Sequence, residues 1–343
     1  MDIKTEFTEL FHSRKFQYAL LVIAFAAVVP LFMSEYAVGH VFTMMLIFAV
    51  YASSWNLLAY SGQGSLGHAA FLGIGGFSSA LLAISSGVPP IVGLFIGGLF
   101  SAAIGLLIGL ACVRLKAWFL GMVTFGFAII IVAIVTQFDS VFHGVDGFAT
   151  KTMVPRGLPL YYATLAIAAS SIVVIFWVMK SKWGLAFKAI RENESEAKMV
   201  GINTGKYKLL AFVISTFFAG LAGGLYAQSQ FLIQLDIFKI DNSFMPLIMA
   251  VIGGLGTIEG PLIGSIIIVS IEEFMPNIYP FLQPLGALFP GVSNVGPYLM
   301  FAGLGLFLIL VVIFLPKGIT SLLQKAYAYL REDTSKAKKI EET

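Results

Sequence analysis

Side chains that commonly perform covalent or metal chemistry are sparse in this chain. It has one cysteine, Cys112, inside an apolar run, and its four histidines are His12, His40, His68 and His143. The histidines are scattered along the sequence without the spacing of a metal site or a catalytic triad, and one cysteine excludes a disulfide framework. A membrane-embedded enzyme is therefore disfavoured, and we expect no catalytic residue and no metal site.

Two stretches approach the GxxxxGK[ST] phosphate-binding loop without completing it. "TGKY" at Thr204–Tyr207 lacks a Ser or Thr after its lysine, and Val200 stands where the first glycine belongs. "GVDGFATKT" has Thr150 in place of the glycine before Lys151. Without backbone amides arranged around phosphate, the chain is not expected to bind or hydrolyse ATP.

Polar side chains gather in two glycine-rich stretches, "SGQGSLGH" at 61–68 and "GGLGTIEGP" at 253–261. Irregular backbone at membrane depth is tolerated only where protein or a water-filled cavity satisfies it, so such breaks mark candidate transport pathways. The polar residues in and beside them are Asn56, Gln63, Ser65, His68, Thr257 and Glu259. The alternatives are close helix packing for the glycines, a structural histidine at 68 and a helix-terminal ion pair at 259.

The composition places these stretches in a lipid environment. The 343 residues are 58% hydrophobic and 11% charged, with a mean hydropathy of +0.92. A soluble domain usually carries about 25% charged residues. The composition therefore disfavours a soluble protein and favours a membrane protein.

Apolar stretches predict an all-α, polytopic membrane protein with about ten transmembrane helices, some broken by glycine-rich segments. The predicted spans are near 17–33, 41–59, 69–86, 91–113, 117–138, 160–179, 209–229, 244–256, 258–274 and 298–315. The first is expected to be a retained helix rather than a signal peptide. The acids Asp139, Glu259, Glu272 and Glu273 fall near predicted helix ends, so no mid-helix carboxylate is expected to carry protons or sodium.

Basic residues predict the orientation. With both termini in the cytoplasm, 18 of the 21 Lys and Arg residues fall on the cytoplasmic side, and seven of them lie between Lys180 and Lys208. Such a bias is the usual signature of cytoplasmic loops. We divide the chain into a transmembrane domain at 1–316, with a cytoplasmic segment at 181–208, and a cytoplasmic amphipathic helix with a polar tail at 317–343.

The cytoplasmic segment has helical periodicity, and Gly201 is expected to end the helix. Its narrow apolar stripe consists of Ala186, Ala189, Ile190, Ala197 and Val200. Small residues on a stripe flanked by charges of both signs predict a helix that docks into the groove of a cytoplasmic partner. A helix lying on the membrane surface is the alternative.

Three stretches resemble the permeases of the branched-chain amino acid ABC transporter family, in the LivM-like type of subunit. The segment with Glu194, Ala197 and Gly201 is similar to the coupling loop of ABC importers. The stretches at 54–77 and 247–267 are similar to two further signatures of that family. One departure is that the strict loop has Glu-Ala-Ala where this chain has Ser195, Glu196 and Ala197.

This resemblance implies a permease subunit of an importer for branched-chain, hydrophobic amino acids in a prokaryotic plasma membrane. It implies a second permease subunit, two cytoplasmic ATP-binding subunits and an extracytoplasmic substrate-binding protein. Glu194, Ala197 and Gly201 would couple the chain to the ATPases, and the chain itself would need no cofactor. The alternatives are a permease for urea or short amides of the same family, or an ion-coupled secondary transporter.

Overall fold

The computed structural model describes residues 26–112, 117–138 and 146–282, the single positions 115 and 142, and parts of 302–322. The predicted spans 17–33 and 298–315 lie partly outside these residues, and the tail 317–343 lies mostly outside them. The described chain is almost entirely helical. The all-α prediction is confirmed.

Six helices are long and apolar enough to cross a membrane, counting only the described positions. They are α1 (Thr43–Tyr60, continuous with a π-helical turn at Ala37–Phe42), α2 (His68–Ser85), α3 (Pro90–Cys112), α4 (Ala117–Gln137), α5 (Leu158–Lys180) and α8 (Thr204–Ser229). Even the shortest, with 18 residues, is about 27 Å long, close to the hydrocarbon thickness of a bilayer. These helices match six of the predicted spans.

Other elements lie between and after these six helices. Between α5 and α8 lie α6 (Lys182–Glu192) and α7 (Glu194–Met199), and after α8 come α9 (Ile240–Gly253) and α10 (Gly260–Leu282). Strands β1 (Phe148–Ala149) and β2 (Leu232–Ile233) pair antiparallel. We call the end of the bundle that carries α6 and α7 the basic face, and the end that carries the two strands the opposite face.

The last two helices differ from the sequence prediction. The stretch predicted as a span at 244–256 is α9, which has 14 residues and a proline, Pro246, inside it. Its length of about 21 Å falls short of a full crossing. Helix α10 does not stop near 274 but continues to Leu282, so Glu272 and Glu273 lie within a helix rather than at its end.

Helix α8 is central and packs against α1, α2 and α3 through small residues. A Cβ atom on Gly75 would lie 2.1 Å from the Gly220 carbonyl oxygen, and one on Gly223 would lie 1.8 Å from that of Leu72. Such contacts are possible only for glycine, which lets helix backbones approach closely where no hydrophobic effect drives association. These glycines therefore allow α8 to pack closely against its neighbours in the core of the bundle.

Candidate functional site

Two short helices form the polar segment on the basic face. The Ser181 hydroxyl accepts from the Trp183 amide at 3.2 Å and begins α6. The Asn193 side chain accepts from the amides of Ser195 at 3.0 Å and Glu196 at 3.3 Å and begins α7. Asn193 itself is extended (φ −157°, ψ 108°), so the single helix expected to end at Gly201 is broken there. Gly201 follows α7 with a φ of +86°, as predicted for a residue that ends a helix.

The apolar stripe of this segment faces its own chain. Ala186, Ile190 and Ala197 are all buried, whereas Val200 is 76% exposed. The prediction that the stripe enters a partner's groove is therefore wrong for its buried members. The small residues allow α6 and α7 to lie close to the ends of the long helices.

A different set of apolar side chains is exposed on the segment. Leu185 is 68% exposed, Met199 is 79% exposed, and Val200 lies beside Met199 in the chain. These side chains are large, and the segment around them carries charges of both signs. They are the most exposed apolar side chains of the segment, and we call Leu185, Met199 and Val200 the exposed trio.

Glu194 fastens α7 to the start of α8. Its carboxylate accepts from Lys208 Nζ, from Lys198 Nζ at 3.0 Å and from Thr204 Oγ1 at 3.2 Å. Partial burial would raise the pKa of Glu194, but the hydrogen bonds from Lys208, Lys198 and Thr204 together lower it to about 2. The carboxylate is therefore ionised at neutral pH. A depression of about 500 Å³ borders this network, between Glu194, Lys198 and residues 201–205.

Arg191 of α6 contacts both glycine-rich stretches. Its guanidinium carbon lies 5.2 Å from the centre of the Tyr60 ring. A Cβ atom built on Gly62 would be 3.0 Å from Arg191 Cα, and one on Gly256 would be 2.4 Å from Arg191 Nη1. Sequence reasoning missed this residue, because an arginine in a charged segment is typical of a solvated helix face.

Two predicted pathway residues, Asn56 and Thr257, join α1 to the second glycine-rich stretch. The Asn56 amide donates to the Thr257 carbonyl oxygen at 2.6 Å, and its Oδ1 accepts from the Gly256 amide at 2.8 Å. Asn56 is buried, and Thr257 is half-buried. A polar residue of α1 thus satisfies backbone groups in the turn between α9 and α10.

The first glycine-rich stretch is buried and hydrogen-bonded. Gln63 Nε2 donates to the Ser61 hydroxyl and to the Lys208 carbonyl oxygen, both at 2.9 Å. The Ser65 carbonyl accepts from Trp55 Nε1 at 2.8 Å, while its buried hydroxyl contacts no hydrogen-bonding group among the described residues. The stretch is therefore a packed turn.

His68 is fully buried at the start of α2. Its Nε2 lies 3.0 Å from the Ser54 hydroxyl, and its ring stacks on Tyr51 with centroids 5.3 Å apart. Its Nδ1 has no hydrogen-bond partner in the described part of the chain. Glu259, in contrast, is exposed just before α10. None of the six predicted pathway residues borders the depression beside Glu194 or the cavity in the opposite half of the bundle.

A cavity of about 330 Å³ lies in the opposite half of the bundle, and we call it the vestibule. Residues of α1 and its preceding turn, α8, α9 and α10 form it. The lining residues are His40, Val41, Met44, Phe48, Tyr226, Gln230, Asn242, Val269, Glu272 and Glu273. Sequence reasoning missed it because α10 was expected to end near 274. The signal for the cavity would have been the pair Glu272–Glu273 inside a longer helix.

The sequence matches a family model described as the permease component of branched-chain amino acid transport systems, over residues 37–315. The chain belongs to this family. It is 30% identical to the high-affinity branched-chain amino acid transport system permease protein LivM of Salmonella typhimurium, over 80% of this chain and 71% of that protein. LivM of Escherichia coli is 29% identical over the same shares.

This chain is also similar in part to a transport protein with a different name. The guanosine ABC transporter permease protein NupQ of Bacillus subtilis is 28% identical over 36% of this chain and 43% of that protein. Family membership, together with the six long apolar helices, makes this chain a multi-pass membrane permease of the branched-chain amino acid transport type.

Proposed function

We propose that this chain is a permease subunit of an importer that takes up branched-chain amino acids. A second permease subunit, two cytoplasmic ATP-binding subunits and an extracytoplasmic binding protein would complete the transporter. The names of the LivM relatives support the cargo. The lack of a complete phosphate-binding loop in the sequence supports an external source of ATP hydrolysis.

The proposal depends on one observation: α6 and α7 have one side buried against this chain and one side exposed. Their inner side is buried against this chain, and Glu194 ties α7 to α8 through Lys208 and Thr204. Their outer side presents the exposed trio, which suits the apolar centre and polar rim of a protein interface. A partner that moves α7 would therefore move α8, the central helix of the bundle.

Glu194, Ala197 and Gly201 have separate roles in this proposal. Glu194 holds the ion pair, buried Ala197 lets α7 lie close to its neighbours, and Gly201 turns the chain toward α8 with its positive φ. Arg191 would carry the same movement from α6 to both glycine-rich stretches. Those stretches, with Asn56, Gln63, Ser65, His68, Thr257 and Glu259, would change their packing as the pathway opens to alternate sides.

The orientation in the membrane is part of the proposal. We place the basic face in the cytoplasm of a prokaryote, with both termini on that side of the plasma membrane, because 18 of 21 basic residues then lie inside. We assign residues 1–316 to the permease domain and place 317–343, for which the sequence predicts an amphipathic helix and a polar tail, in the cytoplasm. The chain needs no cofactor, since ATP binds to the partner subunits.

The test is reconstitution of the chain with its partners in vesicles. We expect leucine uptake that requires both ATP and the binding protein. Changing Met199 and Val200 together to aspartate should release the ATPases, because it places two charges in the proposed docking surface. Both side chains are exposed, so the change should leave the fold intact. The control is Met199→Leu with Val200→Ile, which keeps the surface apolar. Uptake that persists in the aspartate variant would refute the proposed docking surface.

The two alternatives give different results in the same vesicles. Collapsing the proton and sodium gradients at constant ATP should leave uptake unchanged, whereas an ion-coupled carrier would stop. Urea or short amides in excess should fail to compete with leucine. Competition by either compound would favour the related amide permeases.

A further inference from the structure

The vestibule has the shape and lining of a site for a small amphiphilic molecule. Its volume of about 330 Å³ lies at the lower end of the range for small-molecule pockets. Val41, Met44, Phe48 and Val269 supply apolar walls, and Gln230 and Asn242 supply amide groups. The lining therefore combines an apolar side with polar and charged groups, an arrangement that can orient a small ligand carrying both kinds of group.

Two neighbouring carboxylates in this cavity have different surroundings. Glu273 accepts a hydrogen bond from the Tyr36 hydroxyl at 2.9 Å, and its other oxygen lies 4.0 Å from His40 Nε2. Glu272 lines the same cavity but has no hydrogen bond or ion pair with any described residue. Glu273 is therefore engaged within the protein, whereas Glu272 is free to contact a ligand.

A carboxylate without a partner in this cavity, such as that of Glu272, favours a cationic ligand. A carboxylate is an acceptor only, and hydrogen bonds from an ammonium group to it are among the stronger ones in proteins. In the described residues, no group of three or more His, Cys, Asp or Glu side chains is arranged to hold a metal ion. An organic ammonium with an apolar body fits the lining better than a metal does.

We propose that the vestibule is a binding site for the cargo and that Glu272 receives its α-ammonium group. This inference rests on the proposed function, because a branched-chain amino acid carries both the ammonium and the apolar side chain. The side chain would lie against Met44, Phe48 and Val269. Glu272 lies about 18 Å along α10 from Gly260, so the site belongs to the half of the bundle away from the basic face.

Thiol protection tests the site without relying on transport. The single natural cysteine, Cys112, is only 4% exposed, so Val41→Cys places one accessible thiol in the vestibule. In the assembled transporter, leucine should slow the reaction of this thiol with a cationic methanethiosulfonate. Isocaproate, which lacks the amino group, should not. Adding Glu272→Gln should raise the leucine concentration needed for protection at least about tenfold, since one charge-assisted hydrogen bond is lost.

Glu273→Gln is the matched comparison, because it removes a neighbouring charge that the protein already engages. The preference for leucine over isocaproate should survive this change. Equal protection by the two compounds, or unchanged protection in Glu272→Gln, would overturn the assignment. Leucine uptake by the unmodified transporter is measured in parallel. If that uptake is absent, the proposed function fails, while protection of the thiol still decides the binding site.

Discussion

Lys208 joins Glu194 of α7 to Gln63 of the first glycine-rich stretch. Its ammonium forms an ion pair with the Glu194 carboxylate, and its carbonyl oxygen accepts from Gln63 Nε2 at 2.9 Å. The Lys208 side chain is only 8% exposed, and Glu194 is the counter-charge placed beside it. One residue at the start of the central helix thus links the segment on the basic face to a turn inside the bundle.

Removal of the Glu194 charge should weaken both the fold and the coupling. Glu194→Gln leaves the Lys208 ammonium buried without a counter-charge, and we expect a loss of about 1–3 kcal/mol. The thermal midpoint of the purified complex should fall, and ATP hydrolysis should become less dependent on substrate. The control is Glu196→Gln, because Glu196 is exposed and Asn193 is its hydrogen-bond partner. Equal midpoints for the two variants would contradict a stabilising role for the Glu194–Lys208 ion pair.

The same carboxylate sets a pH dependence. The pKa of Glu194 is lowered to about 2 in the folded chain, against about 4.3 in an unfolded chain. The stabilisation is therefore fully present above about pH 4.3 and is lost as pH falls toward 2. The difference in midpoint between the unmodified protein and Glu194→Gln should be constant from about pH 5.5 to 8 and shrink below about 4.3. A difference that changes near neutral pH would point to another titrating group.

Much of this fold follows from the sequence because lipid imposes simple requirements. Six predicted spans became helices, since long apolar stretches have few other ways to satisfy their backbone in a bilayer. The break at Asn193 was missed, although Asn193 and Glu196 have the spacing of a capping box and their side chains meet at 2.6 Å. The many charged residues of this segment favoured one continuous solvated helix, so the capping role of Asn193 was overlooked.

The vestibule was not predictable in the same way. The pair Glu272–Glu273 in an apolar stretch suggested a helix end, because a lipid-facing carboxylate is costly. In the structure both carboxylates avoid lipid in another way, because they line a cavity formed with α1, α8 and α9. That cavity depends on packing between elements far apart in sequence, which periodicity cannot reveal.

Asn56 should stabilise the turn between α9 and α10. Asn56→Leu keeps a similar volume but leaves the Gly256 amide and the Thr257 carbonyl without their side-chain partner. We expect a loss of about 1–3 kcal/mol and a lower thermal midpoint. The control is Asn242→Leu, whose amide donates to carbonyls at 3.0 and 3.2 Å and borders the vestibule instead. Only the Asn56 variant should also change the reaction of a thiol placed at Thr257.

The contact between Arg191 and Gly256 gives the sharpest test of how α6 acts on the bundle. Gly256 has a φ of +74°, and a Cβ atom there would lie 2.4 Å from Arg191 Nη1. Gly256→Ala should therefore carry a backbone cost of about 1–2 kcal/mol and also displace the guanidinium. Substrate-stimulated ATP hydrolysis should fall several-fold in the assembled transporter.

Gly87 separates these two effects. It has a φ of +64°, but nothing lies within 4 Å of a Cβ atom built on it. Gly87→Ala should therefore lower the thermal midpoint by a similar amount without changing coupling. Arg191→Lys keeps the charge and loses the planar group beside Tyr60, so it should reduce coupling with little loss of stability. If Gly256→Ala and Gly87→Ala behave alike and Arg191→Lys is neutral, α6 does not act through Arg191, and the Glu194–Lys208 pair alone must carry the movement into α8.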